Sequence, residues 1–151
     1  SVFENIRFNE THIAEGEAIF IKIAEKYTFD YVDAEVVVMR EHTYNTGNAL
    51  EMMYADNIRW WSDYFLDSST PIEVLHLKDM VIGKVHRIYG LSAMTERNSF
   101  SLGRAALLKA IGTHPKYVFD IKVLAGILVS ILPLKIAIFV ANKKKRKNSN
   151  A

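Results

Sequence analysis

Apolar residues recur at helical spacing along most of this chain. From Phe20 to Tyr27 they repeat every three or four residues, behind a predicted N-cap at Thr11, and the same period returns after Ala49. A period of 3.6 residues places such positions on one side of a helix, so the pattern predicts helices with one buried face. In the helix after Ala49 the predicted buried stripe is Leu50, Tyr54, Ile58, Trp61 and Phe65. We expect the aromatic residues of this helix to pack in a core: Trp60, Trp61, Tyr64 and Phe65.

The stretch from Phe29 to Arg40 changes the period. Its valines and aromatic residues form an almost continuous apolar run, which predicts a well-covered strand. A polar loop containing Gly47 follows it. A single strand cannot form a sheet, so we expect its partners to lie upstream or in another chain. The pattern therefore indicates the end of a larger α/β domain.

Turn-forming residues divide the rest of the chain into further helices. Thr70 and Pro71 predict the N-cap and first residue of a helix that Gly90 ends. Asn98 or Ser99 opens the next helix, which is predicted to continue through residue 111. The first of these two helices has a predicted apolar stripe of Ile72, Leu75, Val81, Val85 and Ile88.

The composition fits a globular chain with a basic end. Half of the residues are apolar, the net charge is only +2, and five basic residues form one run near the C-terminus. A nucleic-acid binder usually carries its basic face along the folded body, so nucleic acid is not an expected partner. The chain has no cysteine, which excludes a disulfide framework, a thiolate zinc site and a cysteine nucleophile. Four histidines share no metal-ligand spacing and are expected at the surface: His12, His76, His86 and His114.

Two consecutive segments resemble the end of a family 2 glycosyltransferase domain. Residues 13–27, IAEGEAIFIKIAEKY, are similar to the family's late helix, where a Glu-Asp pair precedes an apolar stretch bearing Arg or Lys. Residues 29–42, FDYVDAEVVVMREH, resemble the following strand with its Arg-x-His ending, and residues 43–47, TYNTG, resemble the next loop. The resemblance implies a mostly α chain: the end of an α/β GT-A domain, helix plus strand, followed by a helical tail. The implied divisions are residues 1–48, a tail at 49–115, and an apolar helix with a basic C-terminus at 116–151.

The resemblance also implies a chemistry, the inverting transfer of a sugar from a nucleotide sugar to an acceptor hydroxyl. In the family, the Asp of the acidic pair is the general base that removes the hydroxyl proton. Here Glu15 matches the Glu of that pair, but Gly16 stands in place of the Asp, so the candidate bases are Glu15 and Glu17. His42 either lies near the donor diphosphate or its metal, or bonds to the loop backbone. Arg40 either pairs with a phosphate or is an ordinary charge at the end of a strand.

The resemblance implies that the complete enzyme binds a nucleotide sugar, a glycan acceptor and a divalent metal, Mg or Mn. The family's nucleotide-binding half, with its Asp-x-Asp motif, has no match in this sequence, and no glycine-rich loop suited to phosphate is present. We therefore expect this chain alone to bind neither the metal nor the donor and to transfer no sugar.

A second resemblance supports a different class of function. Residues 102–115 resemble the second helix of a tetratricopeptide repeat, but only one copy is visible, and a solenoid needs about three. The alternative function is therefore a non-enzymatic helical interaction module. The residues at the expected offsets are Gly103, Leu107, Ala110, Ile111 and Pro115.

The last apolar block predicts a segment that binds the membrane surface. Residues 123–140 are nearly all apolar, but Pro133 and Lys135 interrupt them, and a spanning helix needs about 20 apolar residues. The basic run adds attraction to anionic lipid of about 1 kcal/mol per charge. We expect residues 116–147 to bind peripherally at the cytoplasmic, inner face of the cell membrane. A buried helix with a solvated tail and a spanning helix are the alternatives. The expected membrane-binding residues are Lys143, Lys144, Lys145, Arg146 and Lys147.

Overall fold

The computed structural model describes residues 15–28, 30 and 50–132, and these residues are mostly helical, with no strand among them. The chain divides into two compact units, Ser1–Trp60 and Trp61–Ala151. The helices are α1 Glu15–Ala24, α2 Leu50–Leu66, α3 Lys78–Glu96, α4 Phe100–Thr113 and α5 Ile121–Ile131. Two 3₁₀ segments, Ile72–Leu77 and Pro115–Phe119, precede α3 and α5 respectively.

The two helices predicted around Phe20 and after Ala49 are present as α1 and α2. The predicted buried face of α1 is wrong, because Phe20 is 59% exposed, and Tyr27 is 43% exposed and lies beyond the end of α1. The described part of α1 is Glu15–Ala24. Its predicted cap Thr11, and all of the predicted strand Phe29–Arg40 except Asp30, lie outside the described residues. In α2, the rings of Trp61 and Phe65 stack with centroids 5.8 Å apart, and Tyr64 meets Phe65 edge to face at 5.2 Å. Trp60 and Phe65 are buried. The prediction that this aromatic cluster packs in a core is therefore confirmed for these two residues.

The helix predicted to begin at Thr70 and Pro71 begins later. The Thr70 hydroxyl donates to the carbonyl oxygen of Tyr64 at 2.5 Å, so it closes the end of α2 instead of capping a new helix. The chain then makes the 3₁₀ segment, and the α-helix starts only at Lys78. Ile72 and Leu75 of the predicted stripe are exposed on that segment.

The prediction that Gly90 ends this helix is wrong. Gly90 is buried inside α3, which continues to Glu96, and Asn98 then turns the chain with a left-handed φ of 53°. A side chain at Gly90 is excluded by packing, because a Cβ there would lie 2.9 Å from the carbonyl oxygen of Gly103 on α4. This packing outweighs a helix-propensity cost of about 1 kcal/mol for glycine. The buried face of α3 is therefore not the predicted stripe but Gly83, His86, Tyr89, Gly90, Ala93 and Met94.

Helices α3, α4 and α5 enclose the core of the second unit. Gly83 lies against His114 and Gly90 lies against Gly103, so α4 runs antiparallel to α3. The predicted start of α4 is confirmed, since Ser99 occupies its N-cap position. Helix α5 packs onto both of these helices, and the side chains at the centre are Met94, Phe100, Leu107 and Val123.

Candidate functional site

The structure describes only part of the catalytic region predicted from the sequence. Glu15, Gly16 and Glu17 belong to α1, but their side chains lie outside the described part of the chain. Arg40 and His42 lie outside it as well, and so does the basic run at residues 143–147. The predicted roles of all these residues remain predictions.

The described residues instead show an unusual surface on α5. An outer helix of a globular protein normally turns charged and polar side chains to solvent. On α5, four apolar residues at helical spacing point outward, and no charged residue stands among them. Lys122 is exposed beside them, about 100° around the helix from the first of the four. We call these four residues the outward face of α5; their exposed fractions are Ile121 79%, Leu124 40%, Leu128 66% and Ile131 64%.

The opposite face of α5 fixes the helix on the second unit. Val123 is fully buried, and Gly126 lies so close to α4 that a Cβ would sit 2.7 Å from Leu107. Leu107, itself fully buried, therefore fills the space that Gly126 leaves open. Because this inner face is packed, the outward face cannot be hidden by rotating the helix about its own axis.

A polar contact holds the beginning of α5 on α3. The Asp120 carboxylate accepts hydrogen bonds from the backbone N–H groups of Lys122 and Val123 and so caps α5. The same carboxylate accepts from the Arg87 guanidinium, with Nε and Oδ2 2.5 Å apart. Burial disfavours the charged form of Asp120, but the hydrogen bond and charge of Arg87 and the backbone N–H donors outweigh it, so the pKa of Asp120 is lowered. An aspartate before an apolar run is a helix-start signal, so the start of α5 at this position was readable from the sequence.

Two ring side chains lie beside this contact. The rings of His114 and Tyr117 meet edge to face with centroids 5.4 Å apart. A Cβ at Gly83 would lie 3.0 Å from the Cβ of His114 and 3.0 Å from Cε2 of Tyr117, so α3 comes close to both. Burial raises the pKa of the Tyr117 hydroxyl, the positive charge of Arg87 opposes this, and the negative charge of Asp120 adds to it. These contacts fix the segment that leads into α5, and we assign them a structural role.

His86 is buried, so the expectation that it lies at the surface is wrong. Burial lowers its pKa, and the positive charge of Lys109 on α4 lowers it further. The sequence did contain a signal for this position. His86 lies between Gly83 and Gly90 at spacings of three and four, and small residues at helical spacing indicate a close helix contact.

Three further observations bear on the site. In the part of the chain that the structure describes, no three His, Asp or Glu side chains are grouped so as to hold a metal ion. No described helix combines the length and the apolar character needed to cross a bilayer. Comparison with family models, curated proteins and solved structures found nothing that matches this chain.

Proposed function

We propose that this chain is the acceptor-side end of an inverting, family 2-like glycosyltransferase, followed by a helical tail. The observation that supports the proposal is the helical conformation of residues 15–24, which lie in the stretch that resembles the family's late helix. In that family the acidic pair precedes the apolar part of this helix. A mostly helical tail, as the resemblance implies, follows in residues 50–132.

In the complete enzyme, this end of the chain supplies the group that accepts a proton. The acceptor hydroxyl loses its proton to a carboxylate while its oxygen forms a bond to the anomeric carbon of the donor sugar. The bond from that carbon to the nucleoside diphosphate breaks, and the diphosphate leaves with the electron pair. Gly16 has no side chain to take the proton, so the proposal assigns this role to Glu15 or Glu17.

The donor side of the reaction belongs mainly to residues upstream of this chain. A divalent Mg or Mn ion in the complete enzyme would stabilise the charge on the diphosphate. From this chain the proposal adds only Arg40 and His42, which match the strand end that lies near the donor in the family. The proposed location is the cytoplasmic, inner face of the cell membrane.

The test joins this chain to the nucleotide-binding half of a family 2 glycosyltransferase and measures sugar transfer. We expect Gly16→Asp to raise the rate, because it restores the family's base, by an amount within the 10²–10⁴-fold typical of general base catalysis. Glu15→Gln or Glu17→Gln should lower the rate in the chain with Gly16. Glu25→Gln, an exposed carboxylate just beyond the end of α1, is the matched control and should have no effect. A Gly16→Asp variant without any gain would contradict the proposal.

One structural feature favours the alternative, a helical interaction module. Helices α3 and α4 form an antiparallel pair with small residues at their contact, as tetratricopeptide-like helices do. Such a module needs no catalytic carboxylate. If substitutions at Glu15, Gly16 and Glu17 all leave the chimera's rate of sugar transfer unchanged, the result would therefore support the interaction module over the enzyme.

A further inference from the structure

We propose that the outward face of α5 docks on a lipid bilayer that contains anionic lipid, with the helix lying in the plane of the interface. The proposal concerns a surface of the second unit and does not rest on sugar transfer. The glycosyltransferase proposal and this one can therefore fail separately.

The shape of α5 suits the membrane interface. Its eleven residues extend about 16 Å, roughly half of the 30 Å needed to cross the hydrocarbon core. Helices that lie in the interface bury one apolar face about 5–10 Å deep and carry Lys and Arg on their polar side. The outward face of α5 supplies the apolar side, and the exposed Lys122 stands at its edge.

The charge around α5 complements anionic lipid. After Glu96 the chain contains eleven Lys and Arg residues and one acidic residue, Asp120, which is already paired with Arg87. Before Arg97, acidic residues outnumber basic ones by sixteen to eight. The outward face of α5 therefore belongs to the strongly positive last third of the sequence. In the described part after Glu96, the basic residues are Arg97, Arg104, Lys109, Lys116 and Lys122.

The same charge argues against a second copy of the chain as the occupant. A symmetric pair in which two outward faces met would bring two positive regions together, and like charges oppose such a contact. An anionic bilayer offers apolar and negatively charged surface together. An anionic bilayer is therefore the occupant that fits both the apolar face and the positive charge of this region.

The basic run supplies the second signal that stable anchoring requires. A single apolar group gives weak, reversible binding, whereas an apolar group with a polybasic patch gives stable binding. Lys143 follows Leu132 by eleven residues, a length of chain that can reach at most about 40 Å. The run can therefore contact the same bilayer surface as the outward face of α5.

The orientation of α5 can be tested with one fluorophore, because the chain has no cysteine of its own. Leu128→Cys places an environment-sensitive label on the outward face. Leu102→Cys is the matched control, since Leu102 is a leucine of α4 that is 47% exposed and lies about 140° around that helix from Leu107. The label at residue 128 should shift to shorter wavelength with vesicles in which phosphatidylserine replaces about a third of the phosphatidylcholine. The label at residue 102 should not shift.

Vesicle sedimentation measures separately what the outward face of α5 and the basic run contribute to binding. Leu128→Glu should lower partitioning into anionic vesicles about thirtyfold or more, because one buried leucine is lost and a charge is added. Leu102→Glu should change it less than about twofold, since surface changes away from the contact have small effects. Replacing Lys143, Lys144, Lys145, Arg146 and Lys147 by Ser should lower it more than about tenfold. Circular dichroism confirms that each variant keeps its helices.

Three results would overturn the inference. The first is equal binding to vesicles of phosphatidylcholine alone, and the second is binding that Leu128→Glu leaves unchanged. The third is a concentration-dependent dimer in analytical ultracentrifugation that Leu128→Glu dissociates while the unmodified chain ignores vesicles. That result would assign the outward face of α5 to a second copy of the chain.

Discussion

At the scale of single residues, Gly90 and Gly103 allow the backbones of α3 and α4 to approach each other closely. A Cβ at Gly103 would lie 2.7 Å from the carbonyl oxygen of Gly90, and a Cβ at Gly90 would lie 2.9 Å from that of Gly103. A backbone oxygen cannot rotate away as the end of a flexible side chain can. The two helices would have to separate, which would also loosen the contacts of Leu107.

We predict that Gly103→Ala lowers the free energy of unfolding by about 1–3 kcal/mol, the usual cost of overpacking a core. The matched control is Gly112→Ala in the same helix. Apart from its chain neighbours and the backbone of its own helix, nothing lies within 4 Å of a Cβ at Gly112, so this change should raise stability by up to about 1 kcal/mol through helix propensity. Urea unfolding of both variants measures the difference. Equal effects of the two substitutions would contradict the close helix contact.

His86 predicts a dependence of stability on pH. Because burial favours the neutral imidazole, the pKa of His86 in the folded chain lies below the unfolded value of about 6.5. When the pH falls below about 6.5, the unfolded chain takes up a proton that the folded chain does not, and stability decreases. Above that pH both states are neutral and His86 contributes no pH dependence.

The measurement compares urea unfolding at pH 7.5 and pH 5.5 in the unmodified chain and in His86→Gln. The unmodified chain should lose more stability on acidification than the variant does. The difference between the two losses of stability isolates His86 from the other titrating groups. Identical losses would show that His86 is protonated as readily in the folded chain as in the unfolded one.

At the scale of elements, Asp120 joins two helices through one carboxylate. It caps α5 through backbone N–H groups and binds the Arg87 side chain of α3. Substitutions can separate these two roles. Asparagine keeps an oxygen that can cap but removes the charge, whereas alanine removes both.

We predict that Asp120→Ala destabilises the chain by about 1–2 kcal/mol, the usual value of a lost N-cap. Asp120→Asn should cost about 1 kcal/mol or less, since the ion pair is partly exposed. In an Arg87→Gln background, Asp120→Asn should have a smaller effect, and a double-mutant cycle measures the coupling. Additive effects would show that the ion pair contributes nothing.

Asp120 also makes stability depend on pH, but it does so because the folded chain favours its charged form, whereas the folded chain favours the neutral form of His86. The folded pKa of Asp120 is lowered, so its contribution is present above the unfolded value of about 3.9 and is lost as the pH falls through the folded pKa. The difference in stability between the unmodified chain and Asp120→Asn should therefore shrink in acid. Unfolding curves between pH 7 and pH 3 check this expectation.

The sequence predicted the existence of the helices better than their boundaries and buried faces. Spacing located α1, α2 and α4, because their apolar residues recur at the helical period. It failed for α3, where half of the six buried residues are Gly83, His86 and Gly90, which a count of apolar side chains ignores. The outward face of α5 could not be separated from its inner face by hydropathy either, because both are apolar. The burial of Val123 and the packing of Gly126 on Leu107 distinguish them.

At the scale of the whole molecule, the sequence contains no segment that matches the donor-binding half of the family proposed above. We predict that calorimetry of the isolated chain with common nucleotide sugars and manganese shows no binding. The physical reason is that neither a phosphate-cradling glycine loop nor an Asp-x-Asp motif is present in the sequence. Micromolar affinity for any of these donors would contradict the prediction. The chimera used to test transfer supplies the positive control.

The glycine contact between α3 and α4 also limits where residues can be inserted into or deleted from these helices. Gly83 and Gly90 lie seven residues apart, about two helical turns, so both face α4. Inserting or deleting one residue between them would rotate one glycine by about 100° relative to the other and place a side chain against α4. Length changes are therefore expected before Lys78 or near Pro115, outside the paired helices. Related tails should be recognisable by the preserved spacing of small residues at 83, 90 and 103, even where most other side chains have been exchanged.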